Sequence, residues 1–190
     1  MSPFLATPVF DGVVVSLRAV EPDDWPVFAE HERDHLSTRL GGGWVPLPWS
    51  NARLREWASA PERSVVKDDV FNLAIIRRSD SALVGSINTH HCERRIGVFS
   101  YGVTIFPADR RSGLASEAVR LVLRWAFGEA RYQKCDVTIY EFNEASVAFH
   151  RHLGFAEEGR RRRAVYTAGG FYDELLFGIT AEEFWAGEGQ

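Results

Sequence analysis

Pro107-Ala108-Asp109-Arg110-Arg111-Ser112-Gly113-Leu114-Ala115-Ser116-Glu117 lies between a strand-like run, Phe99 to Phe106, and a long amphipathic pattern that begins near Ala115. In that pattern Ala115, Ala118, Val119, Val122 and Ala126 follow the helical period, while Glu117, Arg120 and Arg124 line the other side. A strand, a short basic loop with a glycine, and a helix start together form an anion site. The first N–H groups of a helix have no internal acceptor, and the helix dipole places partial positive charge there. Arg110 and Arg111 add full charges, and Gly113 permits a positive φ and a close approach to the backbone. Ala115 is too small to block that approach. No Lys-Ser/Thr pair follows the glycine and no G-x-G-x-x-G is present, so neither familiar nucleotide loop fits.

Downstream, Lys134 to Tyr140 reads as a strand, so strand, helix and strand follow in order and imply a parallel crossover. Asn143-Glu144-Ala145-Ser146-Val147-Ala148-Phe149-His150-Arg151-His152-Leu153-Gly154-Phe155 then begins a second helix, which Gly154 ends. Ser146 and His150 are one turn apart and share a face with Asn143, giving an amide, a hydroxyl and an imidazole in one polar line. The same three residues also read as an N-cap, a first-turn hydroxyl and a surface histidine.

The spacing Arg110-x-x-Gly113-x-Ala115, followed by Asn143-x-x-Ser146 and then Gly154-Phe155, resembles the GNAT acyltransferases. Glu158-Gly159 and Gly170-Phe171-Tyr172-Asp173 look like the RimJ/RimL and spermidine acetyltransferase branch. The resemblance implies an α/β (α+β) fold: a mixed central sheet of about seven strands, splayed between the fourth and fifth, with helices on both faces. It implies acetyl-CoA as the donor and a primary amine as the acceptor. Backbone groups of Val103, Thr104 and Ile105 would pair with the pantetheine arm. Arg110, Arg111, Ser112, Gly113, Leu114, Ala115 and the N–H of Ser116 would hold the pyrophosphate, and Asn143 and Ser146 would lie near the thioester.

Direct acetyl transfer requires that the ammonium lose a proton, the carbonyl oxygen find a donor and the leaving thiolate be stabilised. The family's frequent base, a glutamate on the fourth strand, falls on Ser100, which cannot serve. Glu93, His90, His91, Asp173 or water remain for that work. The family's frequent acid, a tyrosine, falls on His150, which is the catalytic candidate as a donor to the thiolate. Trp44, Trp49 and Tyr101 are candidates for the acceptor side. The acceptor is expected to be a small-molecule amine or a protein N-terminus. The missing glutamate leaves a second class open, a CoA-binding sensor or scaffold that has lost turnover.

The rest of the chain is consistent with one domain over residues 1–190. Val13 to Leu17 reads as a first strand, Glu21 to His31 as a turn and helix, and Gly41 to Trp49 as a loop. Ser50 can cap a short helix through Leu54 and Trp57. Phe71 to Ile76, Leu83 to Thr89 and Val98 to Phe106 read as an antiparallel meander with a turn at Ser79-Asp80-Ser81. Phe171 to Ile179 is a last strand and Ala181 to Trp185 a terminal helix. A net charge of −4 gives no reason to expect nucleic acid, although Arg160 to Arg163 form a local basic run, read as a solvated strand or a ligand-facing patch. No apolar run reaches the ~20 residues of a membrane span. Two cysteines, Cys92 and Cys135, imply no disulfide framework, and a cytoplasmic protein is expected, with a homodimer among the open oligomeric states. His90 and His91 are adjacent, so on a regular strand they point to opposite faces and no metal site is expected.

Overall fold

The computed structural model describes residues 8–32, 34–42, 48–59 and 68–188. Strand β1 (Val15–Ala19) leads through a 3-10 turn (Pro22–Asp24) to helices α1 (Trp25–His31), α2 (His35–Gly42) and α3 (Asn51–Ser59). Strands β2 (Asn72–Arg77), β3 (Ala82–Glu93) and β4 (Val98–Ile105) follow. Then come α4 (Leu114–Gly128), β5 (Lys134–Tyr140), α5 (Glu144–His152), β6 (Ala156–Thr167), β7 (Gly170–Thr180) and α6 (Ala181–Glu188). The strands form one sheet in the order β1-β2-β3-β4-β5-β7-β6. All the pairings are antiparallel except β4 with β5, which is parallel, as the intervening helix requires.

Alternation along the strands feeds two cores. Ile75, Ile87, Phe99, Cys135, Val137 and Phe177 pack against Ala118, Val119 and Val122 of α4 and Val147 of α5. On the opposite face Ala74 packs with Phe28 of α1, Phe106 and Val20. Trp57 of α3 meets Phe28 edge-on, with ring centroids 5.1 Å apart. The sheet is therefore covered on both faces, as expected.

Three boundaries differ from the sequence reading for identifiable reasons. The first strand begins at Val15, not Val13, because the N–H groups of Val13, Val14 and Val15 donate to the Glu117 carboxylate at 2.6, 2.7 and 2.7 Å. Those bonds fasten the start of β1 to the first turn of α4. Gly41 and Gly42 close helix α2 instead of opening a loop. The Asp34 carboxylate starts that helix by accepting from the N–H groups of Leu36 and Ser37 at 3.2 and 3.3 Å. Finally, β3 runs on to Glu93 with a register break between His90 and Glu93, where His91 has a positive φ of 48°. The bulge turns the two histidine rings toward each other, centroids 4.9 Å apart, so the expected opposition of His90 and His91 does not hold.

Candidate active site

β4 and β5 pair only through Val98–Ser100 and Lys134–Asp136. Beyond that β4 stays with β3 and β5 stays with β7, so the two parallel strands separate. The separation leaves a cleft of about 560 Å³ lined by Tyr101–Thr104 on one side and Val137–Tyr140 on the other. The facing backbone edge of Tyr101, Gly102, Val103 and Thr104 is available to an extended ligand in the manner of an added strand. Val103 and Thr104 of the expected pantetheine contacts line the cleft; Ile105 does not, and its carbonyl accepts from Arg110 Nε at 3.0 Å.

At the end of β4 a 3-10 turn, Pro107–Asp109, leads to two left-handed residues, Arg111 at φ 62° and Gly113 at φ 80°. The Gly113 carbonyl accepts from Ser116 and Glu117 N–H, at 3.1 and 3.3 Å, so the N–H groups of Leu114 and Ala115 precede the first intrahelical acceptor. A Cβ placed on Gly113 would meet nothing within 4 Å, so the backbone there is open to a ligand. Arg77 pairs with Asp109, and Ser112 Oγ donates to the Asp109 carbonyl, which together shape the loop.

Arg110 and Asn143 are each engaged by another part of the chain, and Asn143 lines the cleft together with Ser146. Arg110 donates from Nη2 to Ser37 Oγ and lies 3.9 Å from Asp34 Oδ2, so its guanidinium is tied to the start of α2, while the residue also lines a pocket with Ser112 and Leu114 at the mouth of α4. Asn143 caps α5 by accepting from Ser146 N–H at 3.1 Å, and its Nδ2 donates to the Leu40 carbonyl at 3.1 Å. Both residues thus hold α2, whose Leu40 and Gly41 line the cleft.

His150 is buried at 5 % exposure, as is Tyr101, and the two rings stack with centroids 5.8 Å apart. His150 Nδ1 lies 2.8 Å from the Ser146 carbonyl, and Ser146 Oγ is 3.3 Å away. A carbonyl only accepts, so Nδ1 carries the proton and Nε2 of the neutral ring presents a lone pair. Burial pushes the His150 pKa down, which favours that neutral form. The expected donor is therefore an acceptor in this geometry. Nε2 has no partner among the described residues, and neither has the Tyr101 hydroxyl. Burial holds the Tyr101 pKa well above its usual value, so the hydroxyl keeps its proton. Tyr101 and His150 thus both line the cleft, and each carries a polar atom that is buried without a partner among the described residues.

The other side chains of β4, by strand alternation, face the α1–α3 side with Asn88 and His90 of β3. Ser100, Asn88, His90, His91, Thr138, Arg161 and Glu174 line that part of the cleft. Burial, then the neighbouring His91, lowers the His90 pKa. Of the other candidate bases, Glu93 is exposed and accepts from Arg95 N–H at 3.1 Å. Asp173 accepts from Arg163 N–H and pairs with Arg160, which keeps its carboxyl below the usual range. Among the described residues no three His, Cys, Asp or Glu side chains are arranged to hold a metal ion. Trp49 is half-buried and does not line the cleft; its ring carries the Arg53 guanidinium 4.2 Å from the centroid. Trp44 lies outside the described residues. Sequence reading missed Asn88 and Glu174, and reached Arg161 only as part of the basic run read as a solvated strand or a ligand-facing patch. The available signal was an acidic pair, Asp173-Glu174, just before the apolar run of β7.

A parallel strand pair that opens toward a helix N-terminus, with an open glycine loop at one end and two unsatisfied polar atoms in its lining, is the cleft of an acyl-transfer enzyme. The profile of the Acetyltransferase (GNAT) domain matches residues 15–156. The SPbeta prophage-derived uncharacterized N-acetyltransferase YokL of Bacillus subtilis is 36% identical over 180 residues, 95% of this chain and 97% of that protein. A solved probable acetyltransferase superposes with a TM-score of 0.79 at 24% identity, over 93% of this chain and 97% of that one. A spermidine N-acetyltransferase from Vibrio cholerae, in complex with CoA and spermine, superposes with a TM-score of 0.76 at 16% identity, over 90% of this chain and 98% of that one. The chain belongs to the GNAT acetyltransferase family, and it is an N-acetyltransferase that takes its acetyl group from acetyl-CoA. The open backbone at Gly113 and the unsatisfied atoms of Tyr101 and His150 fit that donor. Among the described residues no helix is long and apolar enough to cross a membrane.

Proposed function

We propose that acetyl transfer takes place in the β4–β5 cleft, with the loop Arg111–Ser116 holding the pyrophosphate of CoA and the edge Tyr101–Thr104 holding its pantetheine arm. The observation that carries this reading is the left-handed Gly113, open on its ligand side, at the mouth of α4. Bound acetyl-CoA supplies the thioester; the chain supplies position and proton management. The amine nitrogen bonds to the acetyl carbon, the carbon–sulfur bond breaks, and one proton leaves the amine while one reaches the thiolate. His150 Nε2 is the proton acceptor, held in the correct tautomer by the Ser146 carbonyl. The Tyr101 hydroxyl is the donor to the sulfur side, since burial keeps it protonated. Ser146 sits one turn before His150 and supports its ring.

Helix α2 covers the acceptor side, fixed by Arg110 and Asn143. The acceptor is a small-molecule amine or a protein N-terminus, and the place of the chain in the RimJ/RimL and spermidine branch is supported by the likeness to spermidine acetyltransferases. Free Cys92 and Cys135 suit a reducing cytoplasmic setting. The test pairs Gly113→Asp with Gly113→Ala. Both strain the positive φ, but only the first puts a negative charge beside the phosphates. CoA affinity measured by calorimetry should fall about 10-fold or more further in Gly113→Asp than in Gly113→Ala. Equal affinities in two folded variants would remove the loop from the site.

A further inference from the structure

Two arginines of the basic run of β6, Arg160 and Arg161, pair with carboxylates beside the cleft. Arg160 Nη1 lies 3.1 Å from Glu141 Oε2 and 3.0 Å from Asp173 Oδ2. Arg161 Nη1 lies 3.1 Å from Glu174 Oε2. Arg161 and Glu174 both line the cleft, and Glu174 is the only carboxylate among the described residues that does. Its side chain is 16 % exposed, so its charge is largely withdrawn from water, whereas Arg161 at 59 % stands at the rim. The other titratable side chains lining the cleft are His90, His91, Tyr101, Tyr140 and His150. With its histidines neutral the lining has no net charge, and protonation of any of them makes it positive.

That balance decides which amine fits. A polyamine brings several ammonium groups, each of which needs a carboxylate once it leaves water. Among the described residues the lining offers one, already neutralised. An amine that carries its own carboxylate avoids the deficit. Its ammonium meets Glu174 and its carboxylate meets Arg161, so one ion pair opens into two without leaving a charge unmatched. A carboxylate fits better than a phosphate dianion, because it replaces Glu174 against the same guanidinium like for like, whereas a second negative charge would stand unpaired beside Glu174. Resting on the acetyltransferase reading above, we propose that the acceptor is a carboxylate-bearing amine, an amino acid or a compound of that chemistry, recognised through Arg161 and Glu174, and that polyamines are excluded.

The experiment uses the full chain with acetyl-CoA. Thiol release and calorimetric binding to the CoA-loaded protein are measured for glycine, β-alanine, γ-aminobutyrate and the larger α-amino acids, each beside its carboxamide, and for spermidine and spermine. A carboxylate-bearing amine should be turned over, and its carboxamide should lose about 10-fold or more in kcat/KM. Arg161→Gln should erase that discrimination while leaving the Kd for CoA unchanged. Arg161→Lys, which keeps the charge and loses the fork, should retain part of it. Higher kcat/KM for spermidine or spermine than for every carboxylate-bearing amine overturns the proposal. So does an unchanged acid-to-amide ratio in Arg161→Gln, or a wild type that neither acetylates nor binds any carboxylate-bearing amine. In that last case intact CoA binding leaves the acetyltransferase reading standing, while loss of CoA binding by the wild type removes both.

Discussion

His150 Nδ1 donates to the Ser146 carbonyl one helical turn earlier, at 2.8 Å, and this bond sets what the imidazole can do at its other nitrogen. With the proton committed to Nδ1, the neutral ring keeps a lone pair at Nε2. The bond is local to α5, so it survives any movement of the sheet beneath it. His150→Phe keeps a planar ring and removes both nitrogens. Its kcat should fall on the order of 10²-fold with little change in CoA affinity. His152 is exposed and points some 200° around the helix. Equal losses in His150→Phe and His152→Phe would mean general damage to α5, not loss of a proton acceptor.

Tyr101→Phe deletes a buried hydroxyl that has no partner among the described residues. The variant should be as stable as the wild type or slightly more so, by roughly 0–1 kcal/mol, since no hydrogen bond is lost. Its kcat should nonetheless fall. A stable Tyr101→Phe variant with unchanged kcat would remove the hydroxyl from the reaction.

Arg110 and Asn143 tie α2 to the two ends of the site, so their loss should act on the acceptor side first. Hydrogen exchange across residues 35–42 should speed up in Arg110→Gln, and acceptor KM should rise more than the Kd for CoA. The opposite pattern, slow exchange in α2 with weakened CoA binding, would return Arg110 to the phosphates.

Glu117 accepts three backbone N–H bonds from Val13, Val14 and Val15. Glu117→Ala should release the start of β1 and destabilise the fold by about 1–3 kcal/mol, read as a shift in the urea midpoint. Glu117→Gln keeps one acceptor oxygen and should cost less. Equal midpoints for Glu117→Ala and the wild type would show that these bonds contribute nothing.

Burial lowers the pKa of His31, His90 and His150. Each is therefore neutral in the fold, while in the unfolded chain it titrates near the ordinary value of about 6.5. Below that pH the unfolded state binds more protons, so stability is present above about 6.5 and declines as pH falls toward the folded values. Asp24 and Asp69, held below the usual range, act only at lower pH, below about 4. Urea midpoints should decline between pH 7 and pH 5, with a shallower decline in His150→Phe. A decline confined to pH below 4 would assign the effect to the carboxylates alone.

The order of the elements and the shape of the glycine loop were legible in the sequence, because both are local. Helical period, the positive φ of Gly113 and the N-cap at Asn143 depend on residues a few positions apart. The parallel crossover between β4 and β5 followed from strand, helix and strand in succession. Tertiary structure alone decided which charges are spent. Nothing near Arg110 in the chain reveals Ser37 and Asp34, 73 and 76 positions away, and nothing near Asn143 reveals the carbonyl of Leu40. The meeting of Arg161 with Glu174 likewise depends on the β6–β7 pairing at the cleft's edge. The tautomer of His150 needed no distant partner, only the helix geometry that sets Nδ1 against the Ser146 carbonyl, and that geometry reverses the role its residue type alone suggested. Period and propensity report which face a residue takes; they carry no information about which side chain waits on the other side of the fold.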